Sequence, residues 1–274
     1  MSFRLANHDG QAVLLEGQDY WKLGIDPMGA LTRPDDLHRR WDSRGAPDGR
    51  VTPAELGPPV PAPRQVFAYG LNYRDHVREM DEVNYLARTT NEAPVVFTKF
   101  PSCLIGPTAP VKLVGDRCDY ECELVVVIGT ETRDVDQSQV WDRVAGLMIG
   151  QDISDRALQT AATPPQFSLG KSRATFGPTG PALVSPDLVG NPDDLAICCR
   201  INGELRQDSR TSLLMRPVPE MVAHLSSILT LNPGDLIFTG TPGGVGQARG
   251  IYLKPGDRIV SEIEGLGSLD NPCI

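Results

Sequence analysis

Two acids one residue apart, Glu121 and Glu123 in the stretch Asp119-Tyr120-Glu121-Cys122-Glu123-Leu124, run straight into the apolar Val125-Val126-Val127-Ile128. In a strand, positions two apart share a face, so the two carboxylates would stand side by side at its start. Like charges against apolar surface are costly unless water or a cation compensates them. Taken alone, the same pattern also describes a solvated strand end. A third acid narrows the reading. Asp152, in Gly150-Gln151-Asp152-Ile153-Ser154, directly follows the apolar stretch 144–149, where a neighbouring strand would end. Three carboxylates without paired His or Cys ligands suit a hard, oxygen-seeking ion such as Mg²⁺ or Mn²⁺ rather than Zn²⁺.

A second cluster lies in Gly70-Leu71-Asn72-Tyr73-Arg74-Asp75-His76-Val77-Arg78-Glu79-Met80. If this segment turns helical after a strand ending at Tyr69, His76 and Glu79 fall at i, i+3 and can hydrogen-bond. A carboxylate that holds an imidazole fixes its tautomer and raises its basicity, as a water-activating base requires. A surface ion pair has the same spacing. Lys171 follows a proline-containing loop, Thr163-Pro164-Pro165, a place where lysines are ordinarily solvated. The glycine-rich run 239–246 follows a strand candidate but lacks the Lys-Ser/Thr ending of a phosphate-binding loop.

These residues need a scaffold of strands. Twenty-seven glycines and 24 prolines, with only 6% aromatic residues, point to many turns joining short strands. Strand candidates fall at 65–69, 95–99, 111–114, 121–129, 147–152, 195–202, 235–239 and 258–264. One helix is signalled from Pro217 or Pro219, with Met221, Val222, Leu225, Ile228 and Leu229 at helical spacing and Asn232-Pro233-Gly234 to stop it. The first 60 residues differ: short strand-like pieces at 12–16 and 20–23, a polar stretch over 32–50, then the proline-rich 58–63, which each proline keeps extended. The expected organisation is a small N-terminal subdomain, 1–60, ahead of a catalytic domain, 61–274, in a β-rich α+β fold.

A net charge of −9 disfavours a nucleic-acid partner, since such binding draws on clustered Lys and Arg. The N-terminus has no cationic segment followed by an apolar one, and runs such as 124–128 are too short to span a bilayer. The six cysteines form no CxxC pair or regular framework and read as reduced packing residues. A soluble, cytoplasmic protein with no membrane partner is expected.

Taken in order, the stretches GLNYRDHVREM (70–80), FTKFPSCLIGP (97–107), DYECELVVVIG (119–129), GQDISDRALQ (150–159), residues 170–181, NGELRQ (202–207) and NPGDLIFTGTPGGVG (232–246) resemble the fumarylacetoacetate hydrolase family, over roughly residues 62–272. The resemblance implies a mixed β-roll catalytic domain, usually a homodimer, with Mg²⁺ or Mn²⁺ held by the acids matching Glu121, Glu123 and Asp152. His76 and Glu79 match its catalytic dyad. Lys171 and Gln159 match substrate-site residues, Arg156 a site-region arginine, and Thr241 the threonine of its TGTP loop. Three positions depart from the pattern: Gln151 where Asn is common, Asp155-Arg156-Ala157 for Ala-Arg-Asp, and Arg173-Ala174 for Phe-Asp. The chemistry this implies acts on a small 2-oxo acid: hydrolysis of a carbon-carbon bond in an acylpyruvate by His76-activated water, with Lys171 stabilising the departing pyruvate enolate. Oxaloacetate decarboxylation and isomerisation or hydration of a dienol share that enolate, and a noncatalytic binding protein on the same fold is the remaining alternative.

Overall fold

The computed structural model describes residues 2–82 and 93–274. Three antiparallel strands open the chain, β1 (Arg4–His8), β2 (Gln11–Glu16) and β3 (Asp19–Lys22), followed by helix α1 (Pro34–Asp42). Strands β4 (Val66–Gly70) and β5 (Val95–Thr98) flank helix α2 (Arg74–Glu82). Next come β6 (Cys122–Ile128), β7 (Val144–Gln151), the single turn α3 (Arg156–Gln159) and β8 (Gly177–Val184). The chain closes with β9 (Ala196–Ile201), β10 (Glu204–Arg210), α4 (Val218–Ile228), β11 (Leu236–Phe238), β12 (Arg258–Ile263) and β13 (Gly267–Pro272). The result is a strand-dominant α+β fold.

A twelve-stranded mixed sheet carries, besides three two-residue strands at Gly49–Arg50, Leu56–Gly57 and Leu104–Ile105, the order β3-β2-β1-β8-β7-β6-β11-β4-β5, and a four-stranded antiparallel sheet, β10-β9-β12-β13, packs beside it. β6 lies at the centre and is buried along its whole length. Its alternate residues serve two cores. Leu124, Val126 and Ile128 pack with Ile197 and Ile259 of the small sheet and Met221 and Val222 of α4. Val125 and Val127 pack with Leu14, Leu37 and Trp41 from the N-terminal elements. An apolar run buried on both faces is the physical reason the sequence reads as continuous Val and Ile rather than alternating. In the antiparallel pairing of β6 with β7, Cys122 opposes Gln151 and Glu123 opposes Gly150. The next step of that register sets Asp152 beside Glu121, with the Asp152 amide donating to the Glu121 carbonyl at 2.9 Å.

The N-terminal strands join the large sheet through β1, whose Arg4 and Leu5 pair with Val184 and Leu183 of β8. The polar stretch expected over 32–50 contains α1. Pro34 starts it, Asp35 and Asp36 occupy its first turn and Arg39 and Arg40 its last, all favourable to a helix dipole. Only Leu37 and Trp41, four apart, are buried, too sparse a stripe to be conspicuous in sequence. Residues 111–114 form no strand; Val111 makes a single bridge to Cys273. β8 escaped the sequence reading because Gly177, Pro178, Gly180 and Pro181 interrupt its apolar pattern. α4 starts where its prolines direct and ends at Ile228, ahead of the Asn232-Pro233-Gly234 turn. All six cysteines are free thiols, five of them buried. Among the described residues no helix is long and apolar enough to cross a membrane.

Gly150 tests how tightly β6 and β7 are held. A Cβ at this position would lie 2.5 Å from Val125 Cγ2 and 2.6 Å from Phe238 Cε1. Gly150→Ala is expected to destabilise the fold by about 1–3 kcal/mol through overpacking. Urea unfolding would measure it, and an unchanged midpoint would show that the sheet yields at no cost.

Candidate active site

The β6–β7 register brings Glu121, Glu123 and Asp152 together at one end of the sheet, each offering a carboxylate oxygen within 4.8 Å of the others. All three are buried, at 5%, 2% and 0% exposure. Carboxylates at this density in a dry site demand cations. Lys171 Nζ supplies one, 2.5 Å from Glu121 Oε2 and 2.7 Å from Asp152 Oδ2. Arg156 lies 2.5 Å from Glu121 Oε1 and also donates to Asp119, through Nε at 2.8 Å. Lys99 donates to Asp152 Oδ1 at 2.7 Å. Four buried carboxylates, Asp119, Glu121, Glu123 and Asp152, thus face three buried cations, Lys99, Arg156 and Lys171.

The imbalance falls on Glu123. Its carboxylate accepts the Gly240 amide at 2.8 Å, a dipole rather than a charge. Burial, followed by repulsion from Asp152 and Glu121, pushes its carboxyl well above the usual range. Burial acts in the same direction on Glu121, but Lys171, Arg156 and His76 outweigh it and hold that carboxyl at about 2. Burial lowers the Lys171 ammonium, yet Asp152 and Glu121 outweigh it and raise the group. Asp152 Oδ2, although close to Lys171, accepts no hydrogen bond among the described residues. A divalent cation fits this set: hard oxygen donors, one carboxyl whose ionisation further positive charge would favour, and one buried oxygen that meets an ammonium but accepts no aligned hydrogen bond.

α2 delivers the second group. Its helical turn places His76 Nδ1 2.7 Å from Glu79 Oε1, with the imidazole buried and the carboxylate half-buried. Glu79 Oε2 accepts the Gly244 amide at 2.7 Å. The glutamate is therefore held at both oxygens, and the imidazole keeps Nε2 for the cleft. Gly244 has φ +111°, and a Cβ there would lie 2.0 Å from the Arg206 carbonyl oxygen, so only glycine brings this amide to Glu79.

The cleft is lined by His76, Glu121, Arg156, Gln159, Lys171 and Thr241 on its polar side. Leu71, Met80, Phe97 and Phe167 form its apolar side, with Phe97 and Phe167 in edge contact at 5.6 Å. Leu71 holds a left-handed φ of 54°, a conformation bulky residues rarely adopt. Gln159 accepts from Arg156 Nη1 at 3.2 Å. Thr241 donates to the Cys122 carbonyl at 2.9 Å and accepts from Gln207 Nε2 at 2.7 Å. All nine residues singled out from the sequence are thus brought to one site.

Others were missed. Lys99 and Asp119 stand in stretches already noticed, but neither was given a part. Asp119 Oδ1 accepts the Gly246 amide at 2.7 Å and Oδ2 the Gln247 amide at 2.9 Å, so it joins Arg156 to the glycine-rich loop. Gln207 also accepts the Cys122 amide at 3.0 Å, which braces the peptide between the two glutamates. A single lysine or acid beside apolar residues was the available signal.

Residues 65–274 match the model of the fumarylacetoacetate (FAA) hydrolase C-terminal family. A mitochondrial oxaloacetate tautomerase of Xenopus laevis is 36% identical over 220 residues, 79% of this chain and 67% of the relative. An HpcE-like protein of Mycobacterium smegmatis superposes with a TM-score of 0.91 at 42% identity, covering 99% of each chain. A maleylpyruvate hydrolase of Sphingobium sp. SYK-6, solved with manganese(II) and pyruvate, gives a TM-score of 0.81 at 28% identity over 99% of this chain and 98% of its own.

Glu123 offers a direct test of the electrostatics. With its folded pKa raised, the stability linked to its proton is fully present below the ordinary carboxyl value of 4.5 and is lost as pH rises through the folded value. Glu123→Gln should therefore raise the melting temperature of the metal-free protein at pH 8, by about 2–4 °C for each kcal/mol relieved. The gain should fade below pH 4.5. A variant no more stable than wild type in a melting series over this range would refute the strained carboxyl.

Proposed function

Because the chain belongs to the fumarylacetoacetate hydrolase family, we propose that it is a Mg²⁺- or Mn²⁺-dependent hydrolase that cleaves a carbon-carbon bond in an acylpyruvate. The observation that supports this reading best is His76, held by Glu79 through a 2.7 Å hydrogen bond, on the same cleft as Glu121 of the acid triad, Arg156 and Lys171. Glu121, Glu123 and Asp152 would hold the ion, which when bound supplies Lewis-acid polarisation of the 2-oxo acid oxygens. Its charge would also answer the excess of buried carboxylates, leaving one positive charge for the substrate carboxylate.

The chain's own residues divide the remaining work. Glu79 holds Nδ1–H, so His76 Nε2 takes a proton from water, and the hydroxide adds to the distal carbonyl carbon. His76 then carries the proton it received. The bond between that carbon and C3 breaks, and its electron pair leaves as the enolate of pyruvate. A proton delivered to C3 completes the products, a carboxylic acid and pyruvate. Lys171 stabilises the developing oxyanion and directs that protonation, while Arg156 and Gln159 orient the carboxylate end. Phe97, Phe167, Leu71 and Met80 keep bulk water from the enolate and receive the acyl group.

A second reading is keto–enol tautomerisation of oxaloacetate, favoured by relatives named oxaloacetate tautomerases at 36% to 40% identity. It uses the same acid–base residues to move a proton between C3 and the enol oxygen, with no water added. Acetylpyruvate and oxaloacetate tested side by side, with Mn²⁺ and with chelator, separate the two. Metal-dependent release of acetate and pyruvate from acetylpyruvate is the expected result. Conversion of enol- to keto-oxaloacetate, with acetylpyruvate untouched, would make the enzyme a tautomerase, and pyruvate from oxaloacetate alone a decarboxylase.

His76→Gln is expected to lower kcat on acetylpyruvate by about 10²- to 10⁴-fold, the usual contribution of a positioned general base, while Mn²⁺ affinity stays within a factor of two. Full activity in the variant would remove the dyad from the mechanism.

A further inference from the structure

Lys99 is 1% exposed, one of the largest fully buried side chains in the protein, and composition gives no reason for a cation there. It follows β5 and reaches inward beneath the cleft, where its ammonium lies 5.7 Å from the centre of the Phe238 ring. The three N–H donors of that ammonium meet three acceptors: Asp152 Oδ1 at 2.7 Å, the Phe176 carbonyl at 3.1 Å, and the carbonyl of Lys171. Such a tripod leaves the ammonium no freedom to turn. Asp152 therefore presents Oδ1 to Lys99 and its second oxygen, Oδ2, to the site, where Lys171 Nζ lies at 2.7 Å. Lys99 also grips the main chain of Lys171, the residue that supplies this neighbouring charge.

We infer that Lys99 is a positioning residue for the cation site, fixing which Asp152 oxygen faces the ion and where the Lys171 backbone stands. The inference rests on the proposed use of Glu121, Glu123 and Asp152 as ion ligands. Lys99 touches neither ion nor substrate and acts through Asp152 and Lys171. A purely structural role would be simpler: an ammonium capping two loop carbonyls and a carboxylate inside the core. The two roles differ in their consequences. A structural cross-link sets the melting temperature alone, whereas a ligand-orienting partner sets metal affinity in protein that remains folded.

The test is Mn²⁺ binding by titration calorimetry on wild type, Lys99→Met and Lys99→Gln, with melting temperatures measured alongside. Methionine fills the same space without charge, and glutamine retains two of the donors. Leu14→Ala, a buried truncation in the N-terminal core, serves as the control for lost stability. The expected result is a 10- to 100-fold rise in the Mn²⁺ dissociation constant for Lys99→Met, a smaller rise for Lys99→Gln, and none for Leu14→Ala. Folded Lys99 variants that bind Mn²⁺ within twofold of wild type would overturn the inference while leaving the metal site intact. Failure of both variants to fold would also overturn it by assigning Lys99 to the core, and a wild type that binds no Mn²⁺ would overturn the metal reading itself.

Discussion

Carboxylates repel one another strongly where water is excluded, and this protein gathers four of them at the end of its central hairpin. Much of the surrounding structure answers that repulsion. Arg156, Lys171 and Lys99 approach from three different segments, and each contacts at least one of the acids. Backbone amides contribute as well: Gly240 to Glu123, and Gly246 and Gln247 to Asp119. The compensation stops short at Glu123, whose burial beside Asp152 and Glu121 favours further positive charge there. Each cation shares its acids with another partner, so removing any one would deepen the shortfall of positive charge across the whole buried cluster rather than strand a single pair.

The acids and the dyad are held in different ways. β6 and β7 carry the triad on a framework packed on both faces, with the hairpin register fixing the spacing. His76 and Glu79 ride on α2, an element anchored to the rest of the site by Glu79's bond to the glycine-rich loop. Asn72 secures the turn before the helix, donating to the Thr239 carbonyl at 2.8 Å and accepting the Arg216 amide at 3.0 Å. Two of the loop's interactions, Gly240 with Glu123 and Gly244 with Glu79, therefore link the acid triad and the His76–Glu79 pair through a single stretch of backbone.

Much of this was legible in the sequence because period and chemistry coincide there. Glu121 and Glu123 lead directly into an apolar run, and His76 and Glu79 share a helical face, so spacing alone predicts their neighbours. Asp152 could be paired with them because a strand predictably ended at it. Lys99 could not be recognised this way: its partners are 53, 72 and 77 residues distant, and nothing local marks a lysine as buried. The same holds for α1, whose two buried residues sit among charges, and for β8, whose prolines and glycines imitate a loop. Long-range compensation and irregular backbone are properties of the folded whole.

The burial of β6 on both faces has a consequence for how such a protein can diversify. Any shift of the triad must displace residues in two cores at once, so drift in the three acids is penalised by folding before activity is ever tested. Much of the cleft's apolar wall is held less tightly: Met80 is buried, but Leu71 follows a strand end, Phe97 belongs to the edge strand and Phe167 to a loop, these three only partly buried. Mutation can therefore resculpt this wall at less thermodynamic risk than the acid cluster, which stays fixed. A lineage built on this scaffold is free to explore new substrates one wall residue at a time, and is held to one kind of chemistry while it does so.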